Sequence, residues 1–155
     1  MQMQKMPRDL QYQCLGIVRG YERVKREYNE RRKDILESSG AHYTTYEVKG
    51  EERRAFLPGD HTARRSTEDR QMQLEGLEHM LAYKQMHAVE HALDRIGAGL
   101  PEMIADYLRA AIFQNCKDGR KYTFERLYTI GISRSAFYRY REAFFWDIAN
   151  ELGLF

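Results

Sequence analysis

Two short stretches hold residues whose types and spacing allow chemistry. "HAVEH", residues 87–91, places His87 and His91 four apart, on one face of any helix that contains them, with Glu90 between. That is the H-x-x-E-H pattern, in which two imidazoles hold zinc and the glutamate activates water. "GISRSAFYRYR", residues 131–141, sets arginines and tyrosines into an apolar frame behind a glycine and a serine able to cap a helix. Arginines at a helix amino terminus suit guanine edges and phosphates.

The first stretch is the weaker. A catalytic zinc needs a third protein ligand and an open position. His79 lies two turns earlier, too far along a straight helix to complete the set, which leaves only a remote Asp or Glu, while Val89 and Leu93 commit the adjoining side to packing. A solvated or interfacial histidine pair accounts for it. No glycine-rich phosphate loop, paired-carboxylate site or Ser/His/Asp arrangement occurs elsewhere, so no catalytic residue, metal or cofactor is expected, and the protein is read as a non-enzyme.

The second stretch has local support. Thr123 can cap a short helix reaching Tyr128, Gly131 can take positive φ, and Ser133 can cap the next helix with its hydroxyl. Short helix, glycine turn and capped helix make the sequence form of a helix-turn-helix. Phe137, Tyr140, Phe144, Ile148 and Leu152 then recur every three or four residues as a buried side. Arg134, Ser135, Tyr138, Arg139 and Arg141 are left outside or at its edge. Lys117, Arg120 and Lys121, in the turn before the motif, are placed for phosphate. An amphipathic helix closing a core would show the same arginines, so the cap and the glycine carry the distinction.

Net charge is only +2, but from Lys117 to Glu142 seven Lys/Arg face three Asp/Glu, and 19–33 shows a similar excess. Segregated basic charge suits a polyanionic partner. With 155 residues, 43% hydrophobic and 31% charged, the chain can fold one ordinary core under a charged surface. No apolar run approaches the roughly 18 residues of a membrane span, and "MQMQKMPRDL" lacks a signal-peptide core. A cytoplasmic protein without membrane contact is expected. Cys14 and Cys116 form no CxxC and are read as reduced and packed.

The elements that must position this site are helical. Leu10, Cys14, Ile17, Tyr21, Val24, Tyr28 and Ile35 follow a seam spacing that predicts one long helix over 1–39, stopping near "SSG". Residues 40–66 carry no helical stripe and are expected to be a loop or partly disordered linker. "HYTTYEVKG" alternates but has no second strand of similar strength, so strand content should be near zero. Thr67 is placed to cap a second long helix over 67–98, with Leu74, Leu77, Leu81, Met86, Val89, Leu93 and Ile96 inward and Leu100 continuing the stripe just past its end. Pro101 opens another helix holding Met103, Ile104, Tyr107, Leu108, Ala111 and Ile112. The expected fold is all-α: a long antiparallel helical hairpin or coiled coil, then a small helix-turn-helix bundle over 99–155.

That terminal segment, "GLPEMIADYLRAAIFQNCKDGRKYTFERLYTIGISRSAFYRYREAFFWDIANELGL", resembles the sigma-factor region 4 domain. "LP" stands at its helix start and "SRSAFYRYR" where the recognition helix falls. Together with the long helices and poorly patterned link, the layout is similar to phage late transcriptional regulators of the RinA and ArpU kind. The resemblance implies a phage or prophage regulator that binds double-stranded DNA sequence-specifically beside RNA polymerase, with Arg134, Ser135, Tyr138 and Arg139 facing DNA. "TFERLY" has bulky Leu127 and Tyr128 where the family has a small alanine, which implies a wider helix crossing. The sigma region that binds the promoter element nearest the start site has no counterpart, so an auxiliary activator fits better than a complete sigma factor. A homodimer would lengthen the DNA site, although a region 4 module can act singly beside polymerase. Two other classes stay open: a small terminase-like DNA-packaging protein, and a structural helical adaptor that binds no DNA.

Overall fold

The computed structural model describes residues 4–38, 43–48, 51–56, 60–127 and 131–155. The fold is helical, with five α-helices among these residues: α1 (Arg8–Ser38), α2 (Asp60–Glu78), α3 (Leu81–Arg95), α4 (Glu102–Lys117) and α5 (Arg134–Leu152). Phe124–Arg126 form a single 3-10 turn. No helix among the described residues is long and apolar enough to cross a membrane.

The chain divides into two compact units. One is Arg26–Met80 and the other combines Met1–Lys25 with Leu81–Phe155. The Arg26–Met80 unit departs most from expectation. Strands β1 (Tyr43–Val48) and β2 (Glu51–Phe56) pair antiparallel, from Tyr43 opposite Phe56 to Val48 opposite Glu51. The expected linker over 40–66 therefore contains a short hairpin, the one strand pair among the described residues of an otherwise helical fold. The register leaves only two residues, Lys49 and Gly50, between the strands. So short a separation in sequence makes pairing local, and "EERRAF" can form a strand without an apolar pattern of its own. α1 runs to Ser38, the first residue of the expected stop at 38–40, and the other two lie outside the described residues.

α2 starts at Asp60, so Thr67 lies inside a helix rather than capping one. The long helix expected over 67–98 is in fact two, separated at His79 and Met80. Leu81, assigned to the apolar side, is accordingly 68% exposed. Within this unit the Tyr28 hydroxyl donates to the Glu78 carboxylate, joining the later part of α1 to the end of α2. Burial, and then that carboxylate, raises the Tyr28 pKa.

The second unit holds the core around which α5 is set. Leu10, Cys14, Leu15 and Val18 of α1, Ala88, Val89, Ala92 and Ile96 of α3 and its end, Leu108, Ala111, Ile112 and Cys116 of α4, and Phe137, Phe144, Phe145, Ile148 and Ala149 of α5 form one cluster. The predicted α1 seam is only partly right. Leu10 and Cys14 are buried, but Val18 and Leu15 lie deeper than Ile17, because a helix against several partners buries a broader stripe than a two-helix seam. On α4, Met103 and Tyr107 point to solvent while Ala105 and Leu108 are inside. Burial pushes both thiols, Cys14 and Cys116, up to about 11, as suits packed unreactive cysteines.

Two helix ends are closed by arginines from elsewhere in the chain. Arg109 Nε donates to the Leu93 carbonyl at 3.0 Å and its Nη2 to that of Asp94 at 3.3 Å, while Arg19 Nε donates to the Cys116 carbonyl at 3.0 Å. The last carbonyls of a helix have no i+4 amide to accept, and at Leu93 the arginine adds to the Ile96 amide, which donates at 3.1 Å.

Between α3 and α4 the chain turns through Gly97 (φ 76°) and Gly99 (φ 90°). A Cβ on Gly97 would meet the Ala105 Cβ at 2.9 Å, whereas nothing lies within 4 Å of one on Gly99. Gly99→Ala should cost only the left-handed backbone penalty, about 1–2 kcal/mol. Gly97→Ala adds overpacking of about 1–3 kcal/mol. Urea unfolding should rank the variants in that order.

Candidate nucleic-acid interface

The polar face of α5 is built from its amino terminus. Ser133 is extended (φ −72°, ψ 158°) and its Oγ accepts the Ala136 amide at 3.2 Å, the expected cap. Gly131 has φ 79°, also as expected from its place in the turn. The helix closes at Gly153, left-handed at φ 64°, whose amide reaches the last carbonyls.

What precedes α5 differs from the expected short helix. Thr123 makes no side-chain cap, and Phe124–Arg126 close one 3-10 turn. Tyr128, the expected helix end, lies outside the described residues. The turn is fixed to α5 by the Phe124 and Phe137 rings, 5.4 Å apart, and by an Arg134 Nε to Glu125 Oε1 contact of 3.5 Å. Phe137 is fully buried and Tyr140 packs against the core from its edge.

Opposite this buried side, Arg134, Ser135, Tyr138 and Arg139 are exposed. The Arg134 guanidinium lies 5.8 Å from the Tyr138 ring centroid. Arg139 has no partner among the described residues. Arg141 lies at the edge of this face: it is half-buried, 4.9 Å over the Phe145 ring, and its Nε is enclosed without a hydrogen bond. The spacing 134, 138, 141, 145 continues one helical stripe, and that stripe dips toward the core as it passes Arg141.

The basic turn is well formed. Asn115, the one buried polar side chain among the described residues, donates through Nδ2 to the Tyr122 carbonyl at 2.8 Å. Asp118 Oδ1 accepts the Arg120 and Lys121 amides at 3.1 and 3.2 Å. Lys117 is held by Glu22 at 2.7 Å, and Lys121 lies 5.3 Å over the Tyr122 ring. The Arg120 side chain has no partner among the described residues. Arg126, absent from the sequence-derived set, is exposed and donates to the Lys121 carbonyl at 3.2 Å.

The structure does not join the two histidines into a metal site. His91 Nδ1 contacts Glu151 Oε1 at 2.5 Å, linking α3 to α5. His87 stacks on His91, with ring centroids 6.3 Å apart. Glu90, the glutamate of the zinc motif, lies 3.3 Å from Lys25 Nζ. No group of three or more His, Cys, Asp or Glu among the described residues is disposed to hold a metal ion.

Comparison of the chain with protein-family models, with curated proteins and with solved structures finds no match.

Ser133→Ala should cost about 1 kcal/mol through loss of the cap, while Ser133→Asn should be close to neutral. Thermal unfolding of both variants checks the cap without reference to any ligand.

Proposed function

We propose that the protein binds double-stranded DNA through the amino-terminal half of α5 and the basic turn before it, and serves as a transcriptional regulator. The observation that carries this reading is the division of α5. Phe137, Phe144, Phe145 and Ile148 are fully buried, while Arg134, Ser135, Tyr138 and Arg139 stand together on the other side at the capped end. A helix so anchored presents side chains in fixed directions, as reading base edges requires.

The electrostatics favour the same reading. The Arg134 and Glu125 side chains are mostly exposed, at 68% and 60%. Such a pair is worth about 0–1 kcal/mol and yields readily to a phosphate or a guanine. Arg120 and Arg139 have no protein partner to give up, at least among the described residues. Helix amino-terminal amides also favour phosphate. Action beside RNA polymerase, and a paired or single DNA-binding module, belong to this proposal through the resemblance to sigma region 4.

Footprinting on the genomic region beside the gene, followed by electrophoretic shifts on the protected site, tests it. Arg134→Ala or Arg139→Ala, if the arginine bonds a base, should cost about 1–3 kcal/mol and relax specificity at one position. Arg120→Ala should weaken all duplexes alike and lower the salt slope by about one unit. If Arg134→Ala and Arg139→Ala remain folded and bind as tightly and selectively as the parent, α5 only closes a core.

A further inference from the structure

Next to the exposed stripe of α5 is a cavity of about 180 Å³, lined by Lys5, Met6, Gln11, Tyr138, Arg141 and Glu142 with Phe145 behind. It brings the segment before α1 against the middle of α5, two regions that no sequence pattern connects.

Its polar groups are unevenly engaged. Glu142 Oε1 accepts the Met6 amide at 2.9 Å, so the one carboxylate is already tied to the backbone. Lys5 makes no ion pair among the described residues. The Arg141 guanidinium lies over Phe145 and reaches the Cys116 thiol, which hold the side chain in place, while its Nε–H is buried with no acceptor of its own. A buried donor left unmade costs about 1–3 kcal/mol, more when charged, and calls for an acceptor. Tyr138 adds a phenolic hydroxyl at the rim, and Gln11 an amide.

We propose that this cavity binds a phosphate-class oxyanion, with Lys5 and Arg141 as its cationic ligands and Tyr138 and Gln11 as neutral donors. Two cations against one engaged carboxylate leave the site with a positive excess. Guanidinium and ammonium groups together recognise phosphate by charge and by directed N–H donors. Tyr138 belongs both to this cavity and to the exposed face of α5. A phosphate of the DNA backbone is therefore one source of the ligand, and that source rests on the proposed DNA reading. Free phosphate is the other.

Nuclear magnetic resonance of the arginine Nε–H groups in the full chain tests the proposal, with the Arg141 signal assigned through Arg141→Lys. Inorganic phosphate is titrated against chloride at matched ionic strength, and a short duplex is titrated separately. The Arg141 Nε–H signal should move with at least one probe, and the movement should be lost in Lys5→Gln, a change at an exposed position before α1 that leaves the core intact. Movement with phosphate alone identifies a small-oxyanion site and stands even if the parent binds no duplex. Movement with duplex identifies a backbone phosphate, and Lys5→Gln should then reduce the salt slope of duplex binding by about one unit. An Arg141 signal unmoved by both probes overturns the proposal, whether or not Arg134 and Arg139 still support duplex binding. A shift that persists unchanged in Lys5→Gln overturns it as well.

Discussion

Burial of one face of α5 is the constraint on which the second unit depends. Phe137, Phe144, Phe145 and Ile148 are withdrawn from water into a cluster supplied by α1, α3 and α4. Side chains of this size each contribute about 1.5–3 kcal/mol on full burial. Four of them outweigh a capping hydrogen bond or a surface ion pair several times over. The rotation of α5 about its axis is thus decided by packing, and the outward direction of Arg134 and Arg139 follows from it. The Ser133 cap then decides where the helix begins, hence which residues occupy its first turn.

Local signals in the sequence were legible for a physical reason. A serine hydroxyl reaching an amide three residues on, and a glycine at positive φ, depend only on nearby atoms, so Ser133 and Gly131 could be placed without tertiary knowledge. The recurrence of Phe137, Phe144 and Ile148 also sufficed to orient α5. By contrast, His79 and Met80 interrupt a stripe whose apolar spacing continues across them, and no proline or cap marks the break. β2 was illegible because its pairing comes from adjacency to β1 across two residues. Spacing puts Arg141 at the margin of the stripe, and how far it is drawn in is decided by contact with Phe145, which the sequence does not reveal. Lys5 carried no signal at all, since the α5 residues with which it lines a cavity lie more than a hundred residues away in sequence.

The charge tally over 117–142 needs the same correction. Seven cations in the sequence are not seven cations available to a polyanion. Lys117 pairs with Glu22 and Arg126 reaches back to the Lys121 carbonyl, while Arg141 lies half-buried over Phe145, away from the open face of α5. On the open face itself, Arg120, Lys121, Arg134 and Arg139 are exposed and lie on two short stretches that the Phe124 to Phe137 contact and the Asn115 to Tyr122 hydrogen bond help to fix. Fewer charges in fixed positions suit discrimination between sites, whereas many charges on flexible stems suit indiscriminate adhesion. The arginines at 19 and 109 complete the contrast: bonded to helix-end carbonyls, they brace the scaffold, so one residue type both holds the fold and supplies its exposed charge.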